Sequence, residues 1–210
     1  MIDVIVGYDD NDSELGGYFE LSFKEFEDAC SSVNDLNVTS IAGLDCTQEV
    51  LKETVDSLDQ NRFVFVGLLH GNDEQLLTDN DVFVDVEDID HLSNSFFFSP
   101  SCSTANKLGS ELIDKGCLCF IGCIRETYAT YEDYYDIYIK CETECLRCFL
   151  VTGVSIESSY NQMMSLFDEQ IALLSEENDE ILVAMELIGN RDSFVIMGNR
   201  ELRKSDLVSS

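Results

Sequence analysis

Two residues of this 210-residue chain have types and spacing that can do covalent chemistry. His70 ends the run RFVFVGLLHG (62–71), and Cys102 ends the run SFFFSPSC (95–102). Both runs are continuous, apolar and of strand length, the pattern of strands buried on both faces. In parallel sheets, reactive groups collect at the carboxyl ends of the strands. A His and a Cys at one sheet edge form a dyad in which imidazole draws off the thiol proton and the thiolate attacks a carbonyl. Gly71, with no side chain, admits a close approach of its backbone, and its N–H together with that of Cys102 would hold the developing oxyanion. A helix is predicted over STANKLGSELIDKG (103–116), with Ser103 as its cap and Gly116 as its stop. That start would set the positive end of the helix beside the sulfur. The competing reading makes His70 a hydrogen-bonded scaffold residue and Cys102 a small buried hydrophobe.

The elements around the two runs follow from periodicity. NVTSIAGL (37–44) alternates and is β-branched, which predicts a strand. TQEVLKETVDSLDQ (47–60) predicts a helix capped by Thr47. Residues 72–94 form a polar excursion holding one short strand, DVFVDV. CLCFIGCI (117–124) is a third buried strand. YFELSF (18–23) is expected as an edge strand within an N-terminal segment 1–25, and KEFEDACSSV as a short helix. Beyond residue 128 the pattern turns helical, in YEDYYDIYIKCETECLRCFLVTG and SIESSYNQMMSLFDEQIALLSEE, before a last strand, SFVIMG (193–198). The tail, 204–210, reads as loose. The alternation of strand and helix predicts an α/β fold: a three-layer α/β/α sandwich on a mainly parallel sheet.

The chain has nine cysteines, an odd number at uneven spacing, which argues against a disulfide framework. Cys141, Cys145 and Cys148 have the C-x3-C-x2-C spacing of an iron–sulfur motif. On a helix the same spacing makes one buried stripe, and no fourth zinc ligand stands out unless Cys117, Cys119 or Cys123 supplies it. Core packing is the preferred reading, with no metal and no cofactor expected. His91, in DIDHLSN, reads as solvated surface. No phosphate loop, dinucleotide loop or G-x-S-x-G elbow occurs.

Acidic residues number 42 against 12 basic ones, a net charge of −30. This argues against nucleic acid as a partner and against anionic membrane surfaces. It suits basic substrates or partners. No apolar run approaches the roughly 18–20 residues needed to span a bilayer. The acidic N-terminus lacks the basic start of a signal peptide, so a cytoplasmic location is expected.

The residues RFVFVGLLHG, then SFFFSPSCSTANKLGSELIDKGCLCFIG, then NRDSFVIMGNRELR resemble the caspase-like (clan CD) cysteine peptidases. The resemblance covers roughly residues 37–203 and is nearest to the prokaryotic gingipain-like and CHAT-type branch. It implies His70 as the general base or thiol-orienting histidine, Cys102 as the nucleophile, and Gly71 and Cys102 N–H as the oxyanion hole. Asn72, Asp73, Ser99 and Ser101 would line the substrate site. The chain departs from the family pattern at Pro100, where small or acidic residues are common, and at Ser103-Thr104. It also has Asn199-Arg200 where Asp-Pro is common. The first two departures bear on the specificity pocket rather than on the dyad. Many family members cut after Arg or Lys.

Together these readings predict a single caspase-like peptidase domain over 1–210. It would be a cysteine endopeptidase cleaving a protein partner after a basic residue, in a regulated bacterial stress or defence system. The alternative is an inactive interaction module that keeps the fold and binds a partner through its acidic surface.

Overall fold

Phe96, Phe97 and Phe98 are completely buried, and the strand they form sits inside the sheet. Alternation sends Phe96 and Phe98 to one face and Phe97 to the other. Phe97 lies between Phe65 and Phe120, with ring centroids 4.5 and 5.5 Å away. Phe96 meets Phe149 edge-on at 5.1 Å on the opposite face. The apolar run is therefore continuous because both of its faces are covered.

The computed structural model describes residues 1–59, 62–176 and 180–208. In chain order the elements are β1 (Ile2–Tyr8), α1 (Gly16–Cys30), β2 (Leu36–Ala42), α2 (Gln48–Asp56), β3 (Phe63–Leu68), β4 (His70–Gly71), β5 (Gln75–Leu77) and β6 (Val82–Asp85). Then follow β7 (Ser95–Phe98), α3 (Leu108–Asp114), β8 (Cys119–Cys123), α4 (Tyr135–Thr152), α5 (Ile156–Ser175), α6 (Ile181–Ser193) and β9 (Phe194–Gly198). The main sheet runs β2-β1-β3-β7-β8-β9, with every neighbouring pair parallel except β8 and β9. A small antiparallel sheet, β4-β5-β6, leaves the end of β3.

Helices α1, α4, α5 and α6 cover one face of the main sheet, and α2, α3 and the small sheet cover the other. This is the α/β fold expected, with a mostly parallel sheet between helical layers. The strands predicted at 37–44, 62–71, 95–102, 117–124 and 193–198 form at those places. Thr47 caps α2 by accepting the Val50 N–H at 3.3 Å. Residue 60 of that predicted helix, residue 177 of a later one, and residues 209–210 of the tail lie outside the described residues. No helix among the described residues is long and apolar enough to cross a membrane.

Four expectations are corrected. YFELSF is helical, because Tyr18, Phe19, Ser22, Phe26 and Cys30 fall on one buried face once the window runs through residue 30. The segment 1–25 is not a sheet edge: β1 lies between β2 and β3, and β2 is the edge strand. The excursion 72–94 holds a hairpin of two strands, not one. The tail is docked through residue 207: Leu207 is fully buried and Lys204 pairs with Asp35 at 2.5 Å.

Candidate active site

Four consecutive parallel strands deliver side chains to one edge of the sheet. Val66 of β3 pairs with Phe98 of β7. His70 and Cys102 each lie four residues beyond that pair, so equal extensions bring them to the same level. Tyr8 of β1 pairs with Leu68, and Asp12 follows four residues later. Thr127 follows the end of β8 by the same distance. The site thus draws one residue from each of β1, β3, β7 and β8.

Gly71 packs directly against the cysteine turn. A methyl group placed on it would come within 2.7 Å of the Cys102 carbonyl oxygen and of Thr104 Cγ2, and 2.8 Å of Ser101 Cβ. Only glycine allows that approach. Ser103, next to Cys102, takes a left-handed conformation with φ of 58°. That turns the chain at once and exposes the thiol. Cys102 is partly exposed, while the other eight cysteines are buried. Burial pushes the Cys30 thiol up to about 11 and the Cys46 and Cys141 thiols up to about 12, and it raises those of Cys117, Cys119, Cys123 and Cys145.

His70 and Cys102 line the same two spaces. One is a narrow cavity of about 60 Å³ that also touches Tyr18, Phe19, Pro100, Ser101, Thr127 and Glu142. The other is an open cleft of about 900 Å³ that also touches Gly71, Asn72, Asp73 and Ser103. The His70 ring packs edge-on to Phe19 at 5.4 Å. Its Nε2 lies 2.9 Å from Asp12 Oδ2. Asp12 is buried, which opposes ionisation. Hydrogen bonds from the Leu15 and Glu14 N–H groups, with His70 beside it, outweigh that and hold its carboxyl below the usual range. A carboxylate can only accept, so with Asp12 ionised the Nε2 of this pair is the donor. Cys102 Sγ accepts the Thr127 N–H at 3.3 Å, with Thr127 Oγ1 3.6 Å away.

The other sequence-predicted residues divide by role. Ser101 lines the cavity. Ser99 does not: it is fully buried, 2.9 Å from the Gly67 carbonyl and 2.8 Å from the Ser101 hydroxyl, which itself donates to the Leu69 carbonyl at 2.6 Å. These two serines sew the end of β7 to the end of β3 and so hold the cysteine turn beside the histidine. Asn72 folds back on its own turn, accepting the N–H groups of Glu74 and Gln75 at 2.8 Å. Asp73 accepts from Asn106 at 2.9 Å, and its carbonyl takes the Lys107 and Leu108 N–H groups. Helix α3 therefore starts at Leu108 on Asp73, not at Ser103, and the expected helix end beside the sulfur is absent. Gly116 does end the helix region, with φ of 96°.

Sequence reasoning missed Asp12, Thr127 and Glu142. Glu142 of α4 is among the residues lining the narrow cavity, bound by the Tyr18 hydroxyl at 2.7 Å and by Asn190 Nδ2 at 2.9 Å. Burial pushes its carboxyl up to about 8, against the pull of both hydrogen bonds. Asn190 also clasps the Tyr128 backbone through its side-chain oxygen at 2.8 Å and nitrogen at 2.7 Å.

Cys141, Cys145 and Cys148 lie along the inner face of α4 and are buried there. Among the described residues, no group of three or more His, Cys, Asp or Glu is placed to hold a metal ion. His91 is not solvated as expected: its ring is half-buried, both ring nitrogens lack partners among the described residues, and burial lowers its pKa.

No family model matches the sequence, and no curated protein matches it significantly. Solved structures share the fold. The Arg-specific cysteine proteinase gingipain R matches 96% of this chain and 47% of its own, with a TM-score of 0.63 at 9% identity. The Saccharomyces cerevisiae separase–securin complex matches 94% of this chain and 12% of its own, with a TM-score of 0.53 at 16% identity. A secreted C11 cysteine protease from Bacteroides thetaiotaomicron, solved with an irreversible peptide inhibitor, matches 80% of this chain and 59% of its own, with a TM-score of 0.52 at 14% identity. In each case the match spans less than two thirds of the solved chain. The shared feature is the caspase-like α/β fold of cysteine proteases.

Proposed function

We propose that this chain is a caspase-like cysteine endopeptidase with Cys102 as nucleophile and His70 as its acid–base partner. One observation carries the reading. The partly exposed thiol shares its cavity and cleft with a histidine whose Nε2 is held by a buried carboxylate. In this reading His70 takes the Cys102 proton and the thiolate attacks the carbonyl carbon of the scissile peptide. The oxyanion rests on the N–H groups of Gly71 and Cys102. Collapse of the intermediate expels the amine, which receives the proton from His70, and leaves a thioester on Cys102. Water then attacks the thioester, giving a proton to His70; the C–S bond breaks, the acid leaves, and the Cys102 sulfur takes that proton back. Asp12 holds the imidazole in one tautomer through both steps.

The narrow cavity would take the side chain preceding the cut bond, and a basic one suits it. Glu142, a buried carboxyl, is among the residues lining the cavity, and the net charge of −30 attracts cations over longer range. Pro100, where small or acidic residues are common in the family pattern, also lines this cavity, so in this reading its acidic group is Glu142 of α4. The proposed setting is the cytoplasm, as one domain cutting a protein partner under regulation, as in bacterial stress or defence systems, within the gingipain-like and CHAT-type branch.

The test is cleavage of a peptide library by the wild type and by Cys102→Ala. Cleavage after Arg or Lys that vanishes in the variant supports the reading. A library left intact, with a binding partner retained by both forms, would favour the inactive interaction module.

A further inference from the structure

Helix α6 turns Val183, Ala184, Leu187 and Asn190 inward. Its outward face is also apolar. Leu182 is 55% and Met185 61% exposed, and Ile188 is exposed beside them. Outward helix faces are ordinarily polar, and this chain has acidic residues in abundance. Leu182 and Met185, with Tyr128, Tyr131 and Glu186, line a groove of about 250 Å³. Leu182 and Met185 share this groove, and exposed apolar side chains that adjoin rather than lie scattered point to an interaction site.

The groove and the candidate active site share a lining residue. Tyr128 lines the groove, the narrow cavity and the open cleft alike. Its ring lies against Gly189 of α6, and Asn190 of the same helix clasps its backbone. A polypeptide leaving the cleft past Tyr128 therefore meets the outer face of α6.

Charge selects the occupant. The charged residue in the lining is Glu186. Glu180 binds the Tyr134 hydroxyl nearby, and Glu132 and Asp133 stand exposed in the turn between Tyr131 and Tyr134. Arg191 of α6 is already paired with Asp168 and Asp192. An occupant with apolar side chains flanked by Lys or Arg complements this surface. A second copy would bring the same carboxylates, on a chain of net charge −30, against one another.

We propose that the α6 groove is an exosite: it docks a segment of the protein substrate, outside the cleaved bond, that carries apolar residues flanked by Lys or Arg. The proposal rests on the peptidase reading for its role and on the groove alone for its binding. The probes are a fluorogenic core peptide with Arg before the scissile bond, and the same core extended on both sides by a Leu- and Lys-bearing segment. The extension is expected to lower KM about tenfold or more in the wild type. Leu182→Ser/Met185→Ser should erase that gain and leave the core peptide's kinetics unchanged. Cleavage with no gain from the extension, or a gain that survives the double variant, overturns the exosite and spares the peptidase reading. Anisotropy of the labelled extended peptide on Cys102→Ala reads the groove without turnover. Binding that weakens about tenfold when Leu182→Ser/Met185→Ser is added supports the groove even if neither peptide is cut, in which case the peptidase reading alone fails. Binding that the added substitutions leave unchanged overturns the groove. A dimer seen in sedimentation and lost in the double variant would assign the face to a second copy and overturn the proposal too.

Discussion

Asp12 Oδ2 lies 2.9 Å from His70 Nε2, joining residues 58 positions apart at the ends of neighbouring parallel strands. The carboxylate is buried and the imidazole opens to a cleft, so the pair has an anchored end and a working end. In the proposed mechanism Asp12 positions the base and does not touch substrate. Asp12→Asn should lower kcat on the order of 100-fold with little change in KM, and Asp12→Glu should recover part of the loss. Steady-state kinetics on an Arg-containing peptide check this. A loss confined to KM would remove Asp12 from the account.

Gly71 offers a test of backbone geometry. Alanine there drives a methyl group into the Cys102 carbonyl and Ser101 Cβ, neither of which is the end of a flexible side chain. The turn holding the thiol must move, and with it the proposed oxyanion donors. Gly71→Ala should cut kcat/KM about 100-fold or more and cost about 1–3 kcal/mol of stability, read by urea unfolding. Full activity in the variant would contradict the close approach.

Much of this arrangement can be read from the sequence. The runs ending in His70 and Cys102 are legible because strands covered on both faces are apolar throughout; that Cys102 is the accessible thiol, and Cys123 at the end of another such run is not, is seen only in the structure. Asp12 is not legible: it is one of 42 acidic residues, and its role depends on β1 pairing with β3. YFELSF misleads because aromatic residues in near-alternation also satisfy a strand, and its helical face appears only when Phe26 and Cys30 join it. Ser103 looks like a helix cap but is a left-handed turn residue, because the Asp73 carbonyl, thirty residues earlier, supplies the helix start. Thr127 and Glu142 reach the site through the packing of β8 and α4, which no local pattern reports.

Glu142 predicts a pH dependence. Its ordinary value is 4.5, and burial raises it to about 8 in the folded chain. Between those values the folded state keeps a proton that the unfolded state has lost. Its contribution therefore makes stability fall as pH rises through that window, by at most about 1.4 kcal/mol per pH unit. Glu142→Gln removes that loss, so the variant should gain on the wild type steadily from pH 5 to pH 8 in urea unfolding. A constant difference across the range would contradict a buried, proton-holding carboxyl.

The same residue should govern specificity. Ionised Glu142 favours a cation in the cavity, so KM for an Arg peptide should fall as pH rises toward 8, while KM for a Gln peptide should not. Glu142→Gln should abolish the difference between the two peptides. A preference for Arg that persists in the variant would place the selecting group elsewhere.

The central claim is that Cys102 is the nucleophile and His70 its partner. The direct measurement is the attachment site of an electrophilic Arg-containing peptide, located by mass spectrometry on the native protein. The account predicts one adduct, on Cys102, lost in Cys102→Ala, strongly slowed in His70→Ala and unaffected by Cys148→Ala. Equal modification of Cys148, or labelling of Cys102 at the same rate without His70, would contradict it.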